Sequence, residues 1–109
     1  MTTTNATHQL GLGSSYSASI AAGNILRVNI LGQKGVYDDA NCSLVITGTT
    51  LTGIVRVAAS ADPSTDGRYA VAEGGTITAS SDGKAYTFPM PITGIEIEAT
   101  TGTFAVDIA

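Results

Sequence analysis

Apolar and polar residues alternate along four segments of this chain, at residues 16–20, 25–31, 42–46 and 51–58. A period of two places alternate side chains on opposite faces of a strand, so each segment is predicted to be a strand with one buried face. In the fourth segment the buried face includes Gly53. A glycine inside a strand indicates a bulge or the close approach of another backbone.

A hairpin is predicted from two further alternating segments, residues 76–80 and 84–88. The connection at residues 81–83 contains an Asp-Gly pair, which suits the two central positions of a type I′ turn because both require a positive φ. This register places Ile77 opposite Phe88, so that apolar side chains face each other.

A second hairpin is predicted at the end of the sequence, from residues 95–99 and 104–108 around a Thr-Gly turn. Its apolar residues would share one face, and Glu96 would lie near Asp107 on the other, where like charges are unfavourable. These carboxylates are interpreted as a solvated rim, with contact to a partner or a cation as the alternative. A paired-acid glycosidase site is disfavoured because the chain has no Trp to line a sugar groove.

Composition supports an all-β fold. The 109 residues include 16 Thr, and β-branched side chains pack well on a pleated sheet. About seven to nine short strands separated by turn signals are typical of a sandwich, jelly roll or small barrel. We therefore predict one antiparallel β-sandwich domain, jelly-roll-like, over residues 16–109.

The first 15 residues are polar and lack alternation over most of their length. They are predicted to form an extended N-terminal arm, flexible or ordered by a partner, with Leu10 and Leu12 as anchors. The single histidine, His8, lies in this arm. A general base must be held in a cleft, so His8 is a poor candidate for catalysis.

Charge and motifs argue against several functions. The formal net charge is −4 and the five cations are scattered, whereas nucleic acids and anionic membranes are bound by clustered Lys and Arg. The lone Cys42 is interpreted as a small core residue. No nucleophile elbow or zinc-ligand cluster occurs in the sequence. We predict a non-enzyme without metal or cofactor.

The loop at residues 60–67 has only two acidic side chains, Asp62 and Asp66, and is interpreted as an Asp-stabilised turn rather than a calcium loop. Tyr37 borders a turn and is the aromatic residue that we expect to be freest to contact a ligand.

The N-terminal MTTTNATHQLGLGSS and the ending over residues 92–109, together with the acidic, Thr/Ala/Gly-rich composition, resemble bacteriophage capsid decoration (cement) proteins and the small virion proteins around them. The resemblance implies a homo-oligomer, dimer or trimer, that binds the major capsid protein or another virion protein. It also implies a place in the virion, and in the host cytoplasm during assembly. The arm and one loop end would dock, which makes the candidate contact residues Leu10, Leu12, Tyr37, Asp62 and Asp66.

Two other functions fit a small β-sandwich. One is a carbohydrate-binding or adhesion module of a phage tail or cell surface, and the other is a head–tail connector component. A hydrolase is the least favoured class, since no acid–base set emerges from the sequence.

Overall fold

The computed structural model describes residues 2–10, 15–31, 41–80, 83–89 and 92–109. In these ranges the chain forms nine strands and one helical turn, α1. The strands are β1 (Thr2–Gln9), β2 (Tyr16–Ile20), β3 (Asn24–Leu31), β4 (Asn41–Thr47), β5 (Leu51–Ala58), β6 (Ala70–Ser80), β7 (Lys84–Pro89), β8 (Gly94–Thr101) and β9 (Phe104–Ile108), and α1 is Pro63–Asp66.

The strands form two sheets, which confirms the predicted all-β sandwich. The five-stranded sheet has the order β1-β3-β8-β5-β6, and the four-stranded sheet has the order β2-β9-β4-β7. All neighbouring strands in these sheets run antiparallel except β1 and β3, which are parallel.

The core lies between the sheets and consists of the apolar residues that alternation places on one face. Among the described residues, the largest fully buried side chain is Phe104. Cys42 is fully buried among these residues, as predicted, and burial raises the pKa of its thiol to about 11. The other members of the core include Leu26, Val28, Ile30, Leu44, Ile46, Leu51, Val55, Ile77, Ile95, Ile97, Val106 and Ile108.

Gly53 confirms the expectation of an irregular strand with a close backbone neighbour. The pairing of β5 with both adjacent strands shifts register beside it. A Cβ at this position would collide with the carbonyl oxygen of Glu98 and would lie 2.7 Å from Cζ of Phe104. The absence of a side chain therefore allows Phe104, from the opposite sheet, to fill the core here.

The first predicted hairpin is wrong. β6 pairs with β5 in the five-stranded sheet, whereas β7 pairs with β4 in the four-stranded sheet. Ile77 and Phe88 are both buried, as the alternation required, but they belong to different sheets. β6 is also longer than the predicted strand over residues 76–80, since it begins at Ala70 and continues as a bulged strand in which Gly74 has a φ of 69°.

The second predicted hairpin is wrong for the same reason. β8 pairs with β3 and β5, whereas β9 pairs with β2 and β4. Both strands bury their apolar faces, but these faces meet across the sandwich instead of lying side by side. Glu96 and Asp107 consequently lie on different sheets and are not neighbours.

The expectation of an N-terminal arm is corrected over residues 2–9. This segment is β1, which lies beside β3 along its whole length, from the pair Thr2 and Asn24 to the pair Gln9 and Leu31. His8 is only 4% exposed. The pattern concealed this strand because, of its eight residues, only His8 is buried and only Ala6 is partly buried.

Candidate interaction surfaces

The candidate contact residues of the N-terminal segment and of the turn do not form one surface in the described part of the chain. Leu10 is 8% exposed and packs in the core, and its N–H donates to the carbonyl of Leu31 over 2.7 Å. It could reach a partner only by leaving the core. Leu12 and Tyr37 lie outside the described residues.

Asp62 and Asp66 lie together in the turn around α1. The carbonyl of Asp62 accepts the N–H groups of Thr65 and Asp66, at 3.1 and 3.0 Å. Oδ1 of Asp66 accepts the hydroxyl of Ser60 at 3.0 Å and the N–H of Arg68 at 3.1 Å. The Asp66 carboxylate therefore stabilises the loop, which agrees with its interpretation as an Asp-stabilised turn.

Four charged side chains cross the outer face of the five-stranded sheet, and we call them the charged row: Arg27, Glu96, Arg56 and Glu98. Nε of Arg27 donates to Oε2 of Glu96 over 2.6 Å. Nη1 of Arg56 donates to Oε1 of Glu96 over 2.9 Å and to Oε1 of Glu98 over 3.0 Å. Burial lowers the pKa of Arg56, but its hydrogen bonds to Glu98 and Glu96 outweigh burial and raise it above its ordinary value.

The interpretation of Glu96 as a solvated rim residue is wrong. Its side chain is 6% exposed and lies between Arg27 and Arg56, each paired with it in the register of the sheet. The guanidinium of Arg27 lies 5.5 Å from the ring centre of Tyr69, in the segment that follows α1. The loop between β5 and β6 thus helps to cover the charged row.

Two buried polar groups lie beside the charged row, where this loop packs closely on the sheet. A Cβ on Gly94 would lie 2.7 Å from the hydroxyl of Tyr69 and 2.9 Å from Cβ of Pro63, so the glycine permits the loop to approach. Asn29 pairs with Gly94 in the sheet. The Tyr69 hydroxyl and the Asn29 side-chain oxygen are both buried without a hydrogen-bond partner among the described residues. Burial raises the pKa of Tyr69.

The outer face of the four-stranded sheet differs from this covered face. We call it the small-residue face. Among the described residues of this face, Asp107 is the only charged one, and it accepts the hydroxyl of Ser17 over 2.6 Å, while Val45, at the centre of the face, is 40% exposed. Its members, by strand pairing and exposure, are Ser17, Ser19, Asn41, Ser43, Val45, Thr47, Ala85, Thr87, Ala105 and Asp107.

The two sides of the sandwich at which the edge strands of the sheets lie are also different. Where β6 and β7 lie, the hydroxyl of Tyr86 donates to the carbonyl of Gly74 over 2.9 Å and connects the sheets. Where β1 and β2 lie, a groove of about 250 Å³ remains, lined mainly by apolar and hydroxyl side chains such as Thr4 and Ala18. Near this side, the buried ring of His8 lies 6.4 Å from the ring of Tyr16, and desolvation lowers the pKa of His8.

In the described ranges, no three His, Cys, Asp or Glu side chains lie close enough together to hold a metal ion. Nor does any helix in those ranges have the length and apolar character needed to span a membrane. Sequence reasoning missed the charged row because Arg27, Arg56 and Glu96 stand at polar positions of three strands whose pairing it did not establish.

No protein-family model matches this chain, and no curated protein matches it. Among solved structures, it is similar to the pre-peptidase C-terminal domain of collagenase from Bacillus anthracis. The two are 13% identical with a TM-score of 0.46, and the match covers 94% of each chain.

Proposed function

We propose that this protein is a non-enzymatic structural component of a bacteriophage virion, which binds an assembled capsid as a homo-oligomeric decoration protein. Its partner would be the major capsid protein or another virion protein, reached in the host cytoplasm during assembly. The resemblance of residues 1–15 and 92–109 to such proteins motivates the proposal. The observation that carries it is the small-residue face.

This face suits a broad, flat partner. Burying an ionised group is costly, whereas short hydroxyl and methyl side chains have little charge to desolvate and lose little conformational freedom. The one carboxylate, Asp107, already accepts a hydrogen bond from Ser17. The exposed Val45 supplies an apolar centre, and the polar positions around it resemble the rim of a protein interface.

The dimensions of the face indicate how such binding would work. Four strands spaced about 4.8 Å apart, with about five residues each at 3.3 Å, give roughly 300 Å² of projected area. A stable interface buries about 800 Å² on each partner, so one face alone would bind weakly. Several weak contacts on a repeating surface give strong attachment through avidity, which fits a homo-oligomer on a capsid.

The test is co-sedimentation of the purified protein with capsid shells of the phage that encodes it. We expect saturable binding at a fixed number of copies per shell. Val45→Asp should abolish retention, because it adds a carboxylate at the centre of the small-residue face. The matched control is Val71→Asp, which changes a valine on the other sheet that is even more exposed (53% against 40% for Val45) and should retain binding. Absence of wild-type co-sedimentation, or equal loss in both variants, would refute the proposal.

A further inference from the structure

The described sheets end in four edge strands, and three of these have features that oppose pairing with another chain. β2 has only five residues. β6 is irregular, with shifted register against β5 and a positive φ at Gly74. β7 carries Lys84 and Pro89 at its two ends. Short length, bulges, lysine and proline are the means by which natural proteins prevent edge-to-edge association.

β1 has none of these features. Its eight residues, TTTNATHQ, include no proline, glycine, lysine, arginine or acidic residue. Its pairing with β3 is regular from end to end. Within the described ranges, no strand pairs with its other edge. An edge strand directs every second N–H and C=O away from its own sheet, so β1 presents a regular and uncharged row of donors and acceptors.

We propose that β1 pairs with β1 of a second copy of this chain, in antiparallel orientation, and joins two five-stranded sheets into one continuous sheet. The inference rests on the homo-oligomer in the proposed function and names the contact that holds it together. The dimer is tested in solution without capsids. The β1 pairing can therefore fail while capsid binding is upheld, and capsid binding can fail while the β1 pairing is upheld.

A second copy suits this edge because the pairing is self-complementary. A two-fold axis gives each strand the same contacts with the other. The outer face of β1 carries Thr3, Asn5 and Thr7, which are all exposed. With the axis at Asn5, Thr3 of one copy faces Thr7 of the other at both ends. Threonine pairs stabilise neighbouring strands, and this pairing opposes no like charges.

The first experiment measures the mass of the full chain by light scattering during size-exclusion chromatography. We expect twice the 11.0 kDa of one chain. The double variant Thr3→Lys/Thr7→Lys places lysine against lysine at both ends of the pairing, which should weaken dimerisation about tenfold or more. The matched control, Thr76→Lys/Thr78→Lys, makes the same charge change on the exposed face of β6 and should remain dimeric.

A charge-swap variant tests orientation as well as location. In Thr3→Lys/Thr7→Glu, an antiparallel pair about Asn5 places lysine opposite glutamate at both ends, so the dimer should be restored. A parallel pair would instead oppose identical charges. Circular dichroism spectra like that of the wild type would show that each variant is folded. A monomeric wild type, a dimer that survives the double lysine change, or a swap variant that stays monomeric would overturn the proposal.

Discussion

Glu96 offers a sharp test of how the five-stranded sheet is stabilised. Glu96→Gln keeps the shape of the side chain but removes the charge that lies between Arg27 and Arg56. Removing one partner of a buried ion pair costs about 3–5 kcal/mol, because the remaining charge is left uncompensated. The two arginine side chains are 29% and 24% exposed, so water compensates them in part. We therefore expect a loss at or just below the lower limit of that range, about 2–3 kcal/mol.

The measurement is equilibrium unfolding in urea, with thermal unfolding as a second readout. For a domain of this size, each 1 kcal/mol lowers the melting temperature by about 4–8 °C, so the variant should melt at least 8 °C lower. The matched control is Glu98→Gln. Its side chain is 22% exposed and makes one ion pair, with Arg56, so its loss should cost at most about 1 kcal/mol.

A third variant separates the loss of the ion pairs from the penalty of leaving a buried charge without a partner. Arg27→Met/Arg56→Met/Glu96→Met removes all three charges together and leaves none unpaired. Such replacements are often neutral or stabilising, so the triple variant should be at least as stable as Glu96→Gln. Equal losses for Glu96→Gln and Glu98→Gln would refute the account, because burial would then make no difference. A triple variant less stable than Glu96→Gln would also refute it.

Three further predictions concern single residues of the core and of β1. Gly53→Ala should cost about 3 kcal/mol or more in urea unfolding, because the new Cβ meets the carbonyl of Glu98 and the ring of Phe104. Folding lowers the pKa of His8 below the ordinary 6.5 because burial desolvates the ring. Near and below pH 6.5 the unfolded chain therefore binds more protons than the folded chain. The free energy of unfolding should consequently fall as the pH drops through about 6.5. His8→Leu should remove that dependence between pH 7.5 and 5.5. Cys42 should react with a thiol reagent only when the sandwich opens, so labelling should accelerate in denaturant.

The alternation of the sequence predicted which side chains point inward, but it could not predict their neighbours. Ile77 and Phe88 are buried, as are Ile97 and Val106, whether two strands lie side by side or face each other across a core. A tight turn and a crossing between sheets therefore give the same apolar pattern. Strand pairing depends on contacts between segments distant in sequence, and periodicity does not contain that information.

The charged row could not be predicted from the sequence for a related reason. Glu96 stands at a polar position of an alternating strand, which normally faces water. Its burial comes from Arg27 and Arg56, on the strands at either side, and from the loop that carries Tyr69. β1 was missed because a strand at an edge can be almost entirely polar when its main chain, more than its side chains, attaches it to the sheet.

The proposed β1 dimer would also enlarge the surface that we propose binds the capsid. Antiparallel pairing of β1 about an axis perpendicular to the sheet would leave both small-residue faces on the same side of the dimer. Two faces of roughly 300 Å² would then present about 600 Å² to one flat partner, near the 800 Å² of a stable interface. The monomeric Thr3→Lys/Thr7→Lys variant keeps its small-residue face, so it should still bind shells, but weakly. Val45→Asp should dimerise normally and fail to bind. Retention of the lysine variant as strong as that of the wild type would mean that avidity between paired copies contributes nothing to attachment.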